Sequence, residues 1–183
     1  QRVYCHKSIV NVVASNLAKI ASKLIVGDPT DAKTEVGPLI RKREVERINK
    51  WVNDAIKEGA ECLVGGKAND YCYQPTVLLN PSEKSMVSTN EIFGPVICIY
   101  TYDNVDEAIK RANALPFAFQ ASIFTKSIDN ALHAYKQLNA SAIMVNDHTA
   151  FRVDWMPFAG LRQSGLGVGG IPHTYHDMQI KKM

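Results

Sequence analysis

Residues 96–145 read VICIYTYDNVDEAIKRANALPFAFQASIFTKSIDNALHAYKQLNASAIMV, and this stretch decides the fold class. It opens on Val96-Ile97-Cys98-Ile99-Tyr100, a nearly continuous apolar run of the kind a strand shows when both faces of its sheet are covered. Asp103 or Asn104 is placed to cap the helix that follows, in which Val105, Ala108, Ile109 and Ala112 form an inner stripe until Pro116 breaks it. A strand around Phe119 to Phe124 comes next, then a helix carrying Ile128, Ala131, Leu132, Tyr135 and Leu138, then a strand from Ala142 to Val145. Strand, helix, strand, helix, strand predicts a βαβαβ unit, because parallel strands need such crossovers. The expected fold is therefore α/β, an open, twisted, mostly parallel sheet flanked by helices. Ligands of such sheets sit beyond the carboxyl ends of the strands, which marks Asn146 through Gly170 as a functional edge.

Working outward, the apolar residues Ile9, Val13, Leu17, Ile20 and Leu24 step by three and four and predict a helix over Lys7–Leu24, stopped by Gly27-Asp28-Pro29. Pro38 and the charged run Arg41 to Glu46 open a second helix, with Val45, Ile48, Val52, Ala55 and Ile56 on one face and Gly59 just past its end. The charged run is its solvated side. Cys62-Leu63-Val64 before Gly65-Gly66, and Pro75 to Leu79 before Asn80-Pro81, read as short strands. The opening Gln1-Arg2-Val3-Tyr4 has no initiator Met and reads as a strand already under way, so the chain is expected to be cut from something longer. Met178 to Met183 alternates like a strand and then ends, which reads equally as a strand that pairs with a second subunit or domain and as a frayed, exposed tail.

The 183 residues, 46% hydrophobic and 21% charged, have the profile of an ordinary globular domain able to bury a core without disulfides or metal. A net charge of +3 is near balance and no basic run carries interleaved aromatics, so neither nucleic acid nor a membrane surface is expected as a partner. Cys5, Cys62, Cys72 and Cys98 lie far apart and read as buried thiols of a reducing, cytoplasmic compartment. Adjacent Cys5 and His6 point to opposite faces of a strand and make a poor catalytic pair. His173, His176 and Asp177 lack a fourth ligand at helical spacing, so no metal is expected. Gly165, Gly167 and Gly170 form a G-x-G-x-x-G, but Pro172 follows almost at once and no acid can follow some twenty residues on. These glycines read as a flexible or tightly turning loop.

Three blocks taken together are more specific. Val26-Gly27-Asp28-Pro29 with Val36-Gly37-Pro38-Leu39-Ile40, then Asn90-Glu91-Ile92-Phe93-Gly94-Pro95-Val96, then Pro157-Phe158-Ala159-Gly160-Leu161-Arg162-Gln163-Ser164-Gly165-Leu166-Gly167 resemble the NAD(P)-dependent aldehyde dehydrogenase superfamily. Their order and spacing resemble the C-terminal part of its catalytic domain, over essentially the whole chain. Ala159 stands where the family usually carries glycine. The resemblance implies an enzyme that oxidises an aldehyde to a carboxylic acid through a cysteine thiohemiacetal and thioester, with NAD or NADP taking the hydride and a glutamate acting as base. In the family both catalytic residues lie upstream of the strand that opens this chain. None is therefore expected here, the cofactor-binding domain is expected to precede Gln1, and the chain alone is expected to be inactive.

Some site residues do carry over through the resemblance. Glu91 matches the carboxylate that accepts hydrogen bonds from the nicotinamide ribose hydroxyls, and Phe93 the aromatic that packs by the nicotinamide. The loop Asn146 to Phe158 corresponds to the substrate entrance, making Phe151 and Phe158 candidates for its apolar walls. Arg152 is unusual in such a stretch. A guanidinium there either pairs bidentately with an anionic aldehyde or is held by Asp154 or another local acid. The resemblance further implies residues 1–170 as a partial catalytic domain, 171–183 as a tail with an oligomerisation strand, and a homo-dimer or tetramer in the full-length form. The rival readings are a non-catalytic structural or oligomerisation module that keeps the fold, and a free-standing nucleotide-binding domain built on the glycine loop.

Overall fold

The computed structural model describes residues 1–180 and 182. The chain forms two compact units, Gln1–Val105 and Asp106–Met183. The first holds β1 (Arg2–His6), α1 (Val10–Ala21), α2 (Lys42–Lys57), β2 (Glu61–Val64), β3 (Ala68–Asn69), β4 (Cys72–Tyr73), β5 (Thr76–Leu79), α3 (Met86–Thr89) and β6 (Val96–Tyr102). The second holds all but the first residue of α4 (Val105–Ala112), then β7 (Phe117–Ala118), β8 (Gln120–Ile123), α5 (Ile128–Gln137), β9 (Ala142–Val145), β10 (Leu161–Arg162) and α6 (Ile171–Asp177).

In the first unit β1, β6, β5 and β2 lie side by side in that order, the first three parallel and β2 antiparallel at the edge. The strand period of two divides the residues between the two faces. Leu78, Val96, Cys98 and Tyr100 join a cluster with Val45, Ile48, Val52 and Ala55 of α2, while Val77 and Ile99 join Cys5 with Val10 and Ala14 of α1. The unit is thus three layers with the sheet between α1 and α2. The 3-4-3 spacing of the four buried α2 residues is what lets one helix face enter the core. Each fully buried aliphatic side chain of that face contributes about 1.5–3 kcal/mol. Gly59 follows the Glu58 cap at φ +107°, a conformation only glycine adopts freely, and so ends α2.

The second unit has a thinner core of Ala108, Ile109, Ala118, Ala131, Ala134 and Met144. Its β8 and β9 pair in parallel through α5, whose N-cap Ser127 accepts a hydrogen bond from the Asn130 N–H. β8–α5–β9 is thus one βαβ crossover. The uninterrupted βαβαβ unit expected from residues 96–145 is corrected accordingly. β6 belongs to the four-stranded sheet and β8–β9 to a separate two-stranded one. A run of apolar residues shows that a strand is covered, not which strands flank it.

Two boundaries and one element also differ from expectation. The first helix spans Val10–Ala21 rather than Lys7–Leu24. Residues Ile171–Asp177, read as a polar tail, form α6, with Gly170 at its N-cap and Pro172 in its first turn, where proline's missing N–H costs no helical bond. Of the expected tail strand, Met178–Ile180 carry no ladder partner among the described residues, and Lys181 and Met183 lie outside them. Among the described residues no helix is long and apolar enough to cross a membrane.

Candidate functional site

The segment that leads into β6 is built as a rigid projection. Beneath it lies a buried hydroxyl network: Tyr100 donates to Ser88 Oγ at 2.7 Å, and Ser85 and Ser88 both donate to the Ser82 carbonyl, at 2.8 and 2.7 Å. These bonds hold α3 to the sheet. The chain then turns through Asn90–Pro95. Ile92 is 1% exposed and anchors the turn in the core, while Glu91 and Phe93 on either side of it face outward. Gly94 packs so closely on α2 that a Cβ there would lie 2.4 Å from Ile48 Cδ1. Thr76 N–H donates to the Pro95 carbonyl at 2.8 Å, tying the end of the turn to β5.

Side chains from distant parts of the unit pin the turn. Gln1 Nε2 donates to the carbonyls of Asn90 (2.7 Å) and Val87 (3.2 Å), and Gln1 Oε1 accepts from the Ile92 N–H at 2.8 Å. Arg47 Nη2 donates to the Ile92 carbonyl at 2.7 Å. Arg47 is itself fixed by Glu44 Oε2 at 2.8 Å and lies 4.3 Å from the Trp51 ring centre. The Arg47 hydrogen bond, with desolvation opposing it, holds the Glu44 carboxyl below its ordinary value.

Phe93 stands out energetically. Its φ is +52°, a left-handed conformation that costs a non-glycine residue about 1–2 kcal/mol, and its ring is 76% exposed. Neither feature returns stability to the fold.

In the second unit the loop after β9 begins with Asn146, whose φ is +58° and whose side chain is locked to the backbone of Thr125 through bonds of 2.8 and 2.9 Å. Phe158 exchanges two backbone hydrogen bonds with Gly169 (3.1 and 2.7 Å), and its ring meets Phe119 edge-on at 4.8 Å. The Arg152 guanidinium lies 4.0 Å from the Phe158 ring centre. Among the described residues no carboxylate pairs with Arg152, Asp154 included. Arg152 and Asp154 instead border an open hollow of about 410 Å³ with Thr174 and Tyr175. Phe151 is 47% exposed on the same loop, and no ring contact among the described residues joins it to Phe158. The structure therefore brings Glu91 and Phe93 together on one turn, and Arg152 and Phe158 together on another loop.

The other candidates behave as ordinary structure. Burial raises the thiols of Cys5 and Cys62, and pushes Cys98 up to about 11, so these three stay protonated. His6 shares a 2.7 Å hydrogen bond with Ser8 Oγ rather than facing Cys5. Among the described residues no three His, Cys, Asp or Glu side chains gather as a metal site needs. Gly165, Gly167 and Gly170 all have positive φ, which makes their segment a turning loop. Gln1 and Arg47 are the contributors that sequence reasoning missed. Their hydrogen bonds span 91 and 45 residues, and no local pattern announces such contacts.

A sheet between helices and a pinned turn carrying an outward carboxylate and ring define an α/β protein. The aldehyde dehydrogenase family model matches residues 1–183, and the chain belongs to that family. It is 38% identical to the 3-sulfolactaldehyde dehydrogenase of Priestia aryabhattai over all 183 of its residues, which make up 38% of that protein. Its fold superposes on aldehyde dehydrogenase 21 of Physcomitrella patens, solved with the reaction product succinate, at a TM-score of 0.94 and 32% identity, covering 97% of this chain and 37% of that one. The glyceraldehyde-3-phosphate dehydrogenase of Methanocaldococcus jannaschii in complex with NADP gives a TM-score of 0.92 at 34% identity, covering 97% of this chain and 38% of that one. The chain thus spans somewhat over a third of the length of each.

Proposed function

We propose that this chain forms part of an NAD(P)-dependent enzyme that oxidises a small anionic aldehyde to a carboxylic acid. The observation that carries the cofactor half is the turn at Asn90–Pro95. An exposed carboxylate and an exposed, backbone-strained ring sit side by side on a turn whose backbone is pinned, which fits a ligand with a diol and a flat ring. Glu91 accepts hydrogen bonds from the two hydroxyls of the nicotinamide ribose, a task for an ionised group with two oxygens. Phe93 packs by the nicotinamide and limits where it sits. NAD or NADP, when bound, accepts the hydride.

Phe151 and Phe158 form apolar walls of the substrate entrance. Arg152, stacked on Phe158 and without a carboxylate of its own, supplies a fork of donors for a sulfonate, phosphate or carboxylate on the substrate. The sulfolactaldehyde and glyceraldehyde-3-phosphate named for two relatives are aldehydes of this class. A dimer or tetramer in a cytoplasmic setting accords with the reading.

The test is Glu91→Gln in the enzyme that carries this segment. Hydrogen bonds to a charged group contribute about 1.5–3 kcal/mol, so the KM for NAD(P)+ should rise about tenfold or more while the KM for aldehyde stays put. An unchanged cofactor KM overturns the assignment. Arg152→Ala should raise KM for anionic aldehydes alone, and an equal effect on neutral aldehydes refutes the anionic class.

A further inference from the structure

The turn that carries Glu91 and Phe93 is held from within the chain by two side chains, Gln1 and Arg47. Gln1 bridges the carbonyl before Glu91 and the N–H after it, at 2.7 and 2.8 Å, so one carboxamide fixes the peptide planes on both sides of the acid. Arg47 fixes the carbonyl immediately before Phe93 at 2.7 Å. Arg47 is held in turn by Glu44 and Trp51, both on α2, so its fork is set in place by the helix that carries it. Backbone satisfaction alone does not require this arrangement. The Gln1 bond to Asn90 lies at the surface, where water would serve the same carbonyl. A carboxamide that spans three backbone groups adds fixity that separate waters do not.

We infer that Gln1 and Arg47 are positioning residues for NAD(P)+. They set the angle at which Glu91 offers its oxygens and Phe93 its ring, so that the turn is ordered before the ligand arrives. The inference rests on the reading of Glu91 as the ribose acceptor. Loss of a pin leaves about one residue's backbone to be ordered on binding, which corresponds to about a fivefold rise in cofactor KM.

The experiment is a double-mutant cycle in the enzyme that carries this segment, with Gln1→Met, Glu91→Gln and the two combined. Methionine keeps the length of the side chain and removes its hydrogen bonds. Gln1→Met should raise the KM for NAD(P)+ about fivefold at unchanged aldehyde KM, and should add less than twofold once Glu91 is already glutamine. Arg47→Met should behave in the same way, with Arg47→Lys, which still offers a donor to the Ile92 carbonyl, recovering most of the loss. The same factor with and without Glu91, a cofactor KM that does not move, or failure of both Gln1→Met and Arg47→Met to fold makes the pair purely structural and overturns the inference. If Glu91→Gln by itself leaves cofactor KM unchanged, it is the ribose reading that has failed, and that single variant shows it.

Discussion

Gly94→Ala puts a methyl group where the structure has room only for hydrogen. A Cβ at this position would lie 2.4 Å from Ile48 Cδ1, 3.6 Å from Ile48 Cγ1 and 3.8 Å from Leu39 Cδ2. Carbon atoms in contact sit about 3.5–4.0 Å apart, so the first of these contacts is short by roughly an ångström. Ile48 is wholly buried between α2 and the sheet, and its Cδ1 has no solvent to swing into. Overpacking of this kind costs about 1–3 kcal/mol. Ile48→Val deletes the clashing atom and alone costs about 0.5–1.5 kcal/mol. The two changes should therefore be strongly non-additive: Gly94→Ala with Ile48→Val should be about as stable as Ile48→Val alone. Urea unfolding of the four proteins at equal m-value reads this directly. The cofactor KM, raised in Gly94→Ala because Phe93 is its neighbour, should fall back in the double variant. Additive losses, or a Gly94→Ala protein as stable as the parent, would refute the claim that the turn rests on Ile48.

Three further outcomes are expected. Phe93→Gly removes about 1–2 kcal/mol of left-handed strain against about 0.5–1 kcal/mol of glycine chain entropy, so Tm should hold or rise while cofactor KM increases; a drop of several degrees would show the ring is packed. Tyr100→Phe keeps the buried ring but deletes its bond to Ser88, and should cost about 1–1.5 kcal/mol in urea unfolding, with no loss showing that the hydroxyl network contributes nothing. The Glu44 carboxyl is held below its ordinary 4.5, so its contribution is complete above that pH and is lost as pH falls through the lower folded value. In the 183-residue chain, where Trp155→Phe leaves Trp51 as the one tryptophan, indole fluorescence should change only below pH 4.5, and not in Glu44→Gln; a transition that persists in that variant belongs to another group.

Much of the first unit was legible because its signals are local. Val45, Ile48, Val52 and Ala55 announce the buried face of α2 by spacing alone, and in the second unit Ala142–Val145 was read with its exact bounds. Ladder partners were not legible. β6 pairs with β1 and β5, both far earlier in the chain, and not with β8. Pro172 was counted against a helix following the glycine loop, yet it lies within the first turn of α6. At the site, Glu91 and Phe93 were found through the motif around them, whereas Arg47 follows directly on charges read as a solvated face, and Gln1 looked like nothing more than the start of a strand. The positive φ of Phe93 has no sequence signature, since aromatic residues do not prefer it.

The position of β6 has a consequence for biosynthesis. Arg2 pairs beside Cys98, and Thr76 beside Val96, so the central strand of the first sheet is also the last of its strands to be made. At about 5–20 residues per second, β1 waits on the order of 5–20 s after its own synthesis for its neighbour to be made. During that interval β1 has no β6 to pair with, and for about the last 1–4 s of it β5 too offers an unpaired backbone edge to other nascent chains. The long separation also slows closure of the sheet once β6 arrives. The nascent chain is thus most in need of a chaperone before β6 emerges, and a translational pause placed just upstream of Val96 would lengthen that exposure.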